Sequence, residues 1–65
     1  HLLFERACYD APVLVAVNAV NEPYTFGAGE LNGSFVDLLA DGAPTVELPG
    51  SLELAPYEVR YLLRA

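Results

Sequence analysis

Lysine, methionine and tryptophan are absent, and there is a single cysteine and a single histidine. One cysteine, Cys8, cannot form an internal disulfide. With His1 as the only imidazole, neither a zinc site nor a serine or cysteine nucleophile with its base can be assembled by the usual ligand and triad logic. Cys8 therefore reads as a small half-buried hydrophobe in a strand. Three arginines against nine acidic residues give a net charge of −6. So few cations cannot line a phosphate-binding stripe, which excludes nucleic acid as a partner and disfavours an anionic membrane surface. No apolar run is long enough to span a bilayer. His1 to Tyr9 is no signal peptide, because Glu5 and Arg6 interrupt it. The lone cysteine and the missing signal pattern lean towards the cytoplasm. A start at His1 in a chain without methionine points to a fragment of a longer polypeptide.

What the chain does have is apolar β-forming sequence. Hydrophobic residues make up 54% and charged residues 18% of 65, more apolar and less charged than an average soluble domain. Disorder is excluded on that balance. A domain this small buries only about 60% of its unfolded surface, so an apolar excess favours docking onto something larger. Val13-Leu14-Val15-Ala16-Val17 is apolar on both strand faces, the mark of a strand covered on two sides. The expectation is that one side meets the chain's own core and the other a larger body.

No segment carries a helical period over ten or more residues. Turn signals recur every 7 to 12 residues, the spacing of an all-β sandwich or barrel. The expected strands are Leu2–Tyr9, 13–18, a short one at 24–26, 35–39, 45–48, 51–54 and 57–63. Turns are expected at Asp10-Ala11-Pro12, at Asn18–Pro23, from Gly27 through Asn32-Gly33, at 41–44 and at Pro49-Gly50. The fold class is thus all-β, a small antiparallel β-sandwich of about six or seven strands over residues 1–65. In the last strand Tyr57, Val59, Tyr61 and Leu63 share one face, which reads as core, with Leu62 an apolar exception among Glu58, Arg60 and Arg64.

Candidate chemistry is sparse. Ser34 and Ser51 sit beside turn residues. Glu5, Glu53 and Glu58 fall on polar strand faces, where solvation is the usual reason for a charge. Asp37 and Asp41 do not converge on an ion. Gly27-Ala28-Gly29 lacks the helix and the basic residue of a phosphate loop. Asn32-Gly33-Ser34 fits the N-glycosylation pattern but is better explained as a turn. No catalytic, cofactor-binding or metal-binding residue is assigned, and no cofactor is expected.

Several ordered segments carry a resemblance. Leu3-Phe4-Glu5-Arg6, the hairpin into Val13–Asn18, and Glu22-Pro23 resemble the opening of the C-terminal β-domain of α-amylase-family glycoside hydrolases. Phe35-Val36-Asp37-Leu38-Leu39 resembles an inner strand of that domain, and Leu52–Arg60 its closing strand pair, with a Pro followed by an aromatic at the bend. Each motif alone is sheet patterning. Their order and spacing, over nearly all 65 residues, give the likeness its specificity, nearest to the cyclomaltodextrinase, neopullulanase and maltogenic-amylase group.

The resemblance implies Greek-key-like connections and packing against a catalytic (β/α)₈ barrel. The family's catalytic carboxylates lie in that barrel, and none of their motifs occurs here. The implied role is a non-catalytic accessory domain that stabilises and shields the barrel of an α-glucan-hydrolysing enzyme. The docking residues expected are Leu3, Phe4, Leu14 and Ala16. Two alternatives stand beside it: an α-glucan-binding module with Tyr9, Tyr24 and Phe26 as a sugar platform, and an unrelated Ig-like interaction domain.

Overall fold

The computed structural model describes residues 1–8 and 11–65, with only the backbone described at Cys8 and Ala11. The chain is all-β: five antiparallel strands in one sheet. They are β1 (Leu2–Cys8), β2 (Ala11–Val17), β3 (Tyr24–Asp37), β4 (Thr45–Leu54) and β5 (Val59–Arg64), in spatial order β1-β2-β5-β3-β4. Two hairpins, β1–β2 and β3–β4, are therefore joined through β5, the last strand in sequence. Cys8 pairs with Ala11, so the first reversal falls at residues 9–10, outside the described residues, and Ala11-Pro12 belongs to β2. The half-buried reading of the Cys8 side chain is likewise outside them.

The count is five strands where six or seven were expected. The expected strands at 24–26 and 35–39 are parts of one 14-residue β3, and those at 45–48 and 51–54 are one 10-residue β4. Glycines explain the merger. Gly33 and Gly50 adopt φ of 113° and 94°, which lets a strand bend sharply without leaving the ladder. Between Gly27 and Asn32 on β3 the partner strand moves only from Ser51 to Pro49. The surplus residues form a bulge that turns Leu31 into the interior, where it is fully buried. Asn32-Gly33 and Pro49-Gly50 thus bend the ribbon instead of reversing it. The β3–β4 reversal lies at 38–44, where Ala43 N–H donates to the Ala40 carbonyl and Asp37 N–H to that of Pro44.

The bend makes the core. Only the last residues of β3 (Phe35–Asp37) pair with β5, opposite 62–64. The earlier part of β3, with the C-terminal half of β4, lies over the inner side of β2 and β5. Phe26, Leu31, Leu52 and Leu54 from the ribbon pack with Leu14, Ala16, Phe35 and Leu62 in one cluster. Arg64 braces the bulge: its guanidinium lies 4.6 Å from the Phe35 ring centroid and donates to the carbonyls of Asn32 (3.1 Å) and Glu30 (2.7 Å).

Candidate functional site

Because strand side chains alternate, the residues that do not point at the core form an outer face. The register sets three rows across β1, β2 and β5: Leu2, Val17 and Val59; Phe4, Val15 and Tyr61; Arg6, Val13 and Leu63. Val36 extends the last row onto β3. Of the nine residues in the three rows, only Arg6 is charged, in a chain of net charge −6. Val13 and Val15 are buried by larger neighbours in their own rows, whereas Leu2 is 61%, Phe4 41%, Val59 40% and Tyr61 37% exposed. This is a contiguous apolar surface with no layer of the chain over it.

The expected docking residues divide between the two faces. Leu14 and Ala16 are buried in the chain's own core and Leu3 packs against it, while Phe4 alone lies on the outer face. The two apolar faces of β2 thus have opposite roles to those expected. Leu62, taken as an exception, is a fully buried core residue. Val59 and Tyr61, taken as core, are exposed. The period of two in 57–63 located the apolar face correctly but could not say which side the β3–β4 ribbon would cover.

The expected sugar platform is not assembled among the described residues. Phe26 is buried in the core. Tyr24 meets it edge-on, with centroids 4.9 Å apart and planes at 77°, and the His1 ring stacks on Tyr24 at 3.6 Å. Two perpendicular rings, one capped by an imidazole, offer no flat surface to a sugar. Tyr9 lies outside the described residues.

At the end of the sheet near Val17 and Val59, two loops are locked together. Asn18 is 1% exposed. Its side-chain amide donates to the carbonyls of Glu22 (2.7 Å) and Ala55 (3.0 Å), and its oxygen accepts from Val20 N–H. Tyr57 N–H donates to the Val20 carbonyl and Glu58 N–H to that of Ala55. In this tight turn Tyr57 takes φ of 59° and is 65% exposed.

A charged cluster lies beside it. Asp37, on the core side of β3, is buried and accepts from Arg60 at 3.1 Å and from Leu39 N–H at 3.3 Å. Arg60 also donates to Glu58 at 2.9 Å. Glu58 accepts from Ala55 N–H at 2.8 Å. That backbone donor first, and Arg60 beside it, hold the Glu58 carboxyl below its ordinary value. These side chains line a shallow, open depression of about 220 Å³ with Leu39, Ala40 and Val59. Both carboxylates are already neutralised by Arg60, so the cluster braces the turn into β5 and leaves no acid or base poised for substrate. The Ser34 hydroxyl donates to Glu47, away from any imidazole. Among the described residues there is no metal-binding group of three or more ligands, no helix long and apolar enough to cross a membrane, and no buried side-chain polar atom without a partner.

Comparisons with protein-family models, curated proteins and solved structures find no match to this chain. The outer face and the loop tip beside it are therefore read from their own chemistry.

Proposed function

We propose that this chain is a non-catalytic docking domain whose outer β1-β2-β5 face packs against a larger body. The observation that carries this is the near absence of charge on that face. An acidic chain that keeps its charges off one broad, exposed, aromatic-bearing surface has the composition of an interface centre.

More narrowly, we infer that the body is the catalytic (β/α)₈ barrel of an α-amylase-family glycoside hydrolase, and that the domain stabilises and shields it. The ordered resemblance of Leu3–Arg6, Val13–Asn18, Phe35–Leu39 and Leu52–Arg60 supports this choice. In the same terms, the folded-over β3–β4 ribbon acts as the second layer of a small antiparallel sandwich, and the 18–23 connection, which passes β5 to reach β3, as its Greek-key-like crossing.

The test uses the full parent polypeptide. Phe4→Glu, which puts a second charge in the middle row of the face, is expected to lower the midpoint of thermal unfolding and to speed proteolysis between this domain and the rest. An unchanged midpoint and cleavage rate would sink the docking role. A maltoheptaose titration followed by NMR is expected to leave the spectrum unchanged. Shifts clustered on Phe4 and Tyr61 would instead favour an α-glucan-binding module.

A further inference from the structure

We infer that Tyr57 is the anchor of the docking surface, a side chain presented at the edge of the outer face for insertion into an apolar pocket of the neighbouring domain of the same polypeptide. The inference rests on the docking reading above and names the residue that dominates it.

Three observations carry it. The first is conformational. Tyr57 stands at φ 59°, a region that glycine or asparagine occupies with little strain and a bulky aromatic does not. Stability of the isolated turn is better served by glycine at this position. Tyrosine there is explained by what its side chain does outside the turn.

The second is rigidity. Asn18 ties the loops together through Glu22, Val20 and Ala55, the Tyr57 amide is held by Val20, and Glu58 is braced by Ala55 and Arg60. The ring is also the most exposed of the large hydrophobic side chains among the described residues. A fixed backbone bearing an exposed aromatic costs little extra ordering when it binds, which is the character of an interface hot spot.

The third is size, and it selects the occupant. Leu2, Phe4, Val59 and Tyr61, with Val20 and Tyr57 at the end of the sheet, expose roughly 400–500 Å², taking about 200 Å² for a whole large side chain. Independent partners, a second copy included, need about 800 Å² each for a stable complex. Interfaces between domains of one chain begin near 600 Å² in total, because the linker already holds the two together. The patch fits the second case. Its one charge, Arg6, calls for a carboxylate at the rim of the opposite surface.

The experiment compares the full parent polypeptide with its Tyr57→Gly and Tyr57→Asn variants, both compatible with the turn, and with Phe4→Glu. Scanning calorimetry reads whether this domain unfolds together with its neighbour, and limited proteolysis reads how often the two part. Tyr57→Gly and Tyr57→Asn are expected to split off a separate transition for this domain and to raise inter-domain cleavage tenfold or more. Coupled unfolding with unchanged or higher midpoints in both variants, while Phe4→Glu does uncouple, overturns the anchor and leaves the docking reading standing. Coupled unfolding in all three overturns both. A midpoint that depends on protein concentration in the wild type would assign the surface to a second copy and overturn the intrachain occupant.

Discussion

The inner and outer faces of β2 and β5 are close in composition and opposite in situation. Leu14, Ala16 and Leu62 look inward and are buried under the β3–β4 ribbon, while Val17, Val59 and Tyr61 look outward with nothing of the chain above them. The outer residues are the more regular of the two sets: β-branched and aromatic, at a strict period of two. The inner set is interrupted by Glu5 on β1 and by Arg60 on β5. Regular apolar alternation therefore marks a face that something covers, without saying whether the cover belongs to the same chain. Here the less regular face became the core, because the charged members of its strands sit at its margin, where Arg60 reaches Asp37 and Glu58 and Arg64 lies across Phe35.

Adjacent residues on β5 give the sharpest test of that contrast. Leu62→Ala removes a fully buried side chain from the core and is expected to cost about 2–5 kcal/mol in chemical denaturation, enough to unfold much of a domain this small. A loss below about 1 kcal/mol would mean that the ribbon does not pack on β5. Next in size is Asn18→Ala. It leaves the Glu22 and Ala55 carbonyls and the Val20 amide without their partner, at a cost of about 2–3 kcal/mol. Its effect should show in faster hydrogen exchange at Tyr57 and Glu58 before any global change.

Gly33→Ala tests the bend that separates the two faces. At φ 113° a side chain is strained, and its Cβ would meet the Arg64 guanidinium at 3.3 Å. A loss of about 1–3 kcal/mol is expected in the thermal midpoint, and a neutral result would place the bend elsewhere. Tyr61→Ser, one residue from Leu62 but on the outer face, should cost less than about 1 kcal/mol in the 65-residue chain, and much more once the partner is present. Equal losses at positions 61 and 62 would break the distinction between the faces.

The smallest effect is electrostatic. The Glu58 carboxyl is held below its ordinary 4.5 by the Ala55 amide and Arg60, so its contribution is present above that pH and is lost as pH falls through the lowered folded-state value. Glu58→Gln should therefore flatten the acid limb of the stability curve below about pH 4.5 by a few tenths of a kcal/mol, the pair being largely solvated. An unchanged acid limb would show that Arg60 and the turn do not hold the carboxylate.

Much of this was legible in the residues. The all-β class, the first hairpin, the two-sided β2, the turn at 41–44 and the shared face of Phe35 and Asp37 follow from alternation and turn chemistry. Three things were not. Asn32-Gly33 and Pro49-Gly50 have the composition of reversals, and only the pairing of β3 with β4 reveals that glycine there supplies a bend. Leu31, placed by sequence in a loop, is turned inward by a bulge whose register depends on the partner strand. The identity of the docking face depends on where the ribbon folds, a property of topology that no local window contains. The aromatics followed the same rule: Phe26 went to the core and Tyr24 under His1, while Tyr57 and Tyr61 reached the surface.

The place of β5 in the sheet bears on how the chain comes to be folded. As the polypeptide is synthesised, the β1–β2 and β3–β4 hairpins emerge complete while the strand that joins them is still to come. A lone two-stranded hairpin is marginal in water, so neither half can settle until residues 59–64 arrive between them. The last step of assembly closes an inner face and finishes an apolar outer one at the same moment. A nascent chain halted before Val59 would carry both hairpins with their apolar sides open, the state in which chaperones would find it.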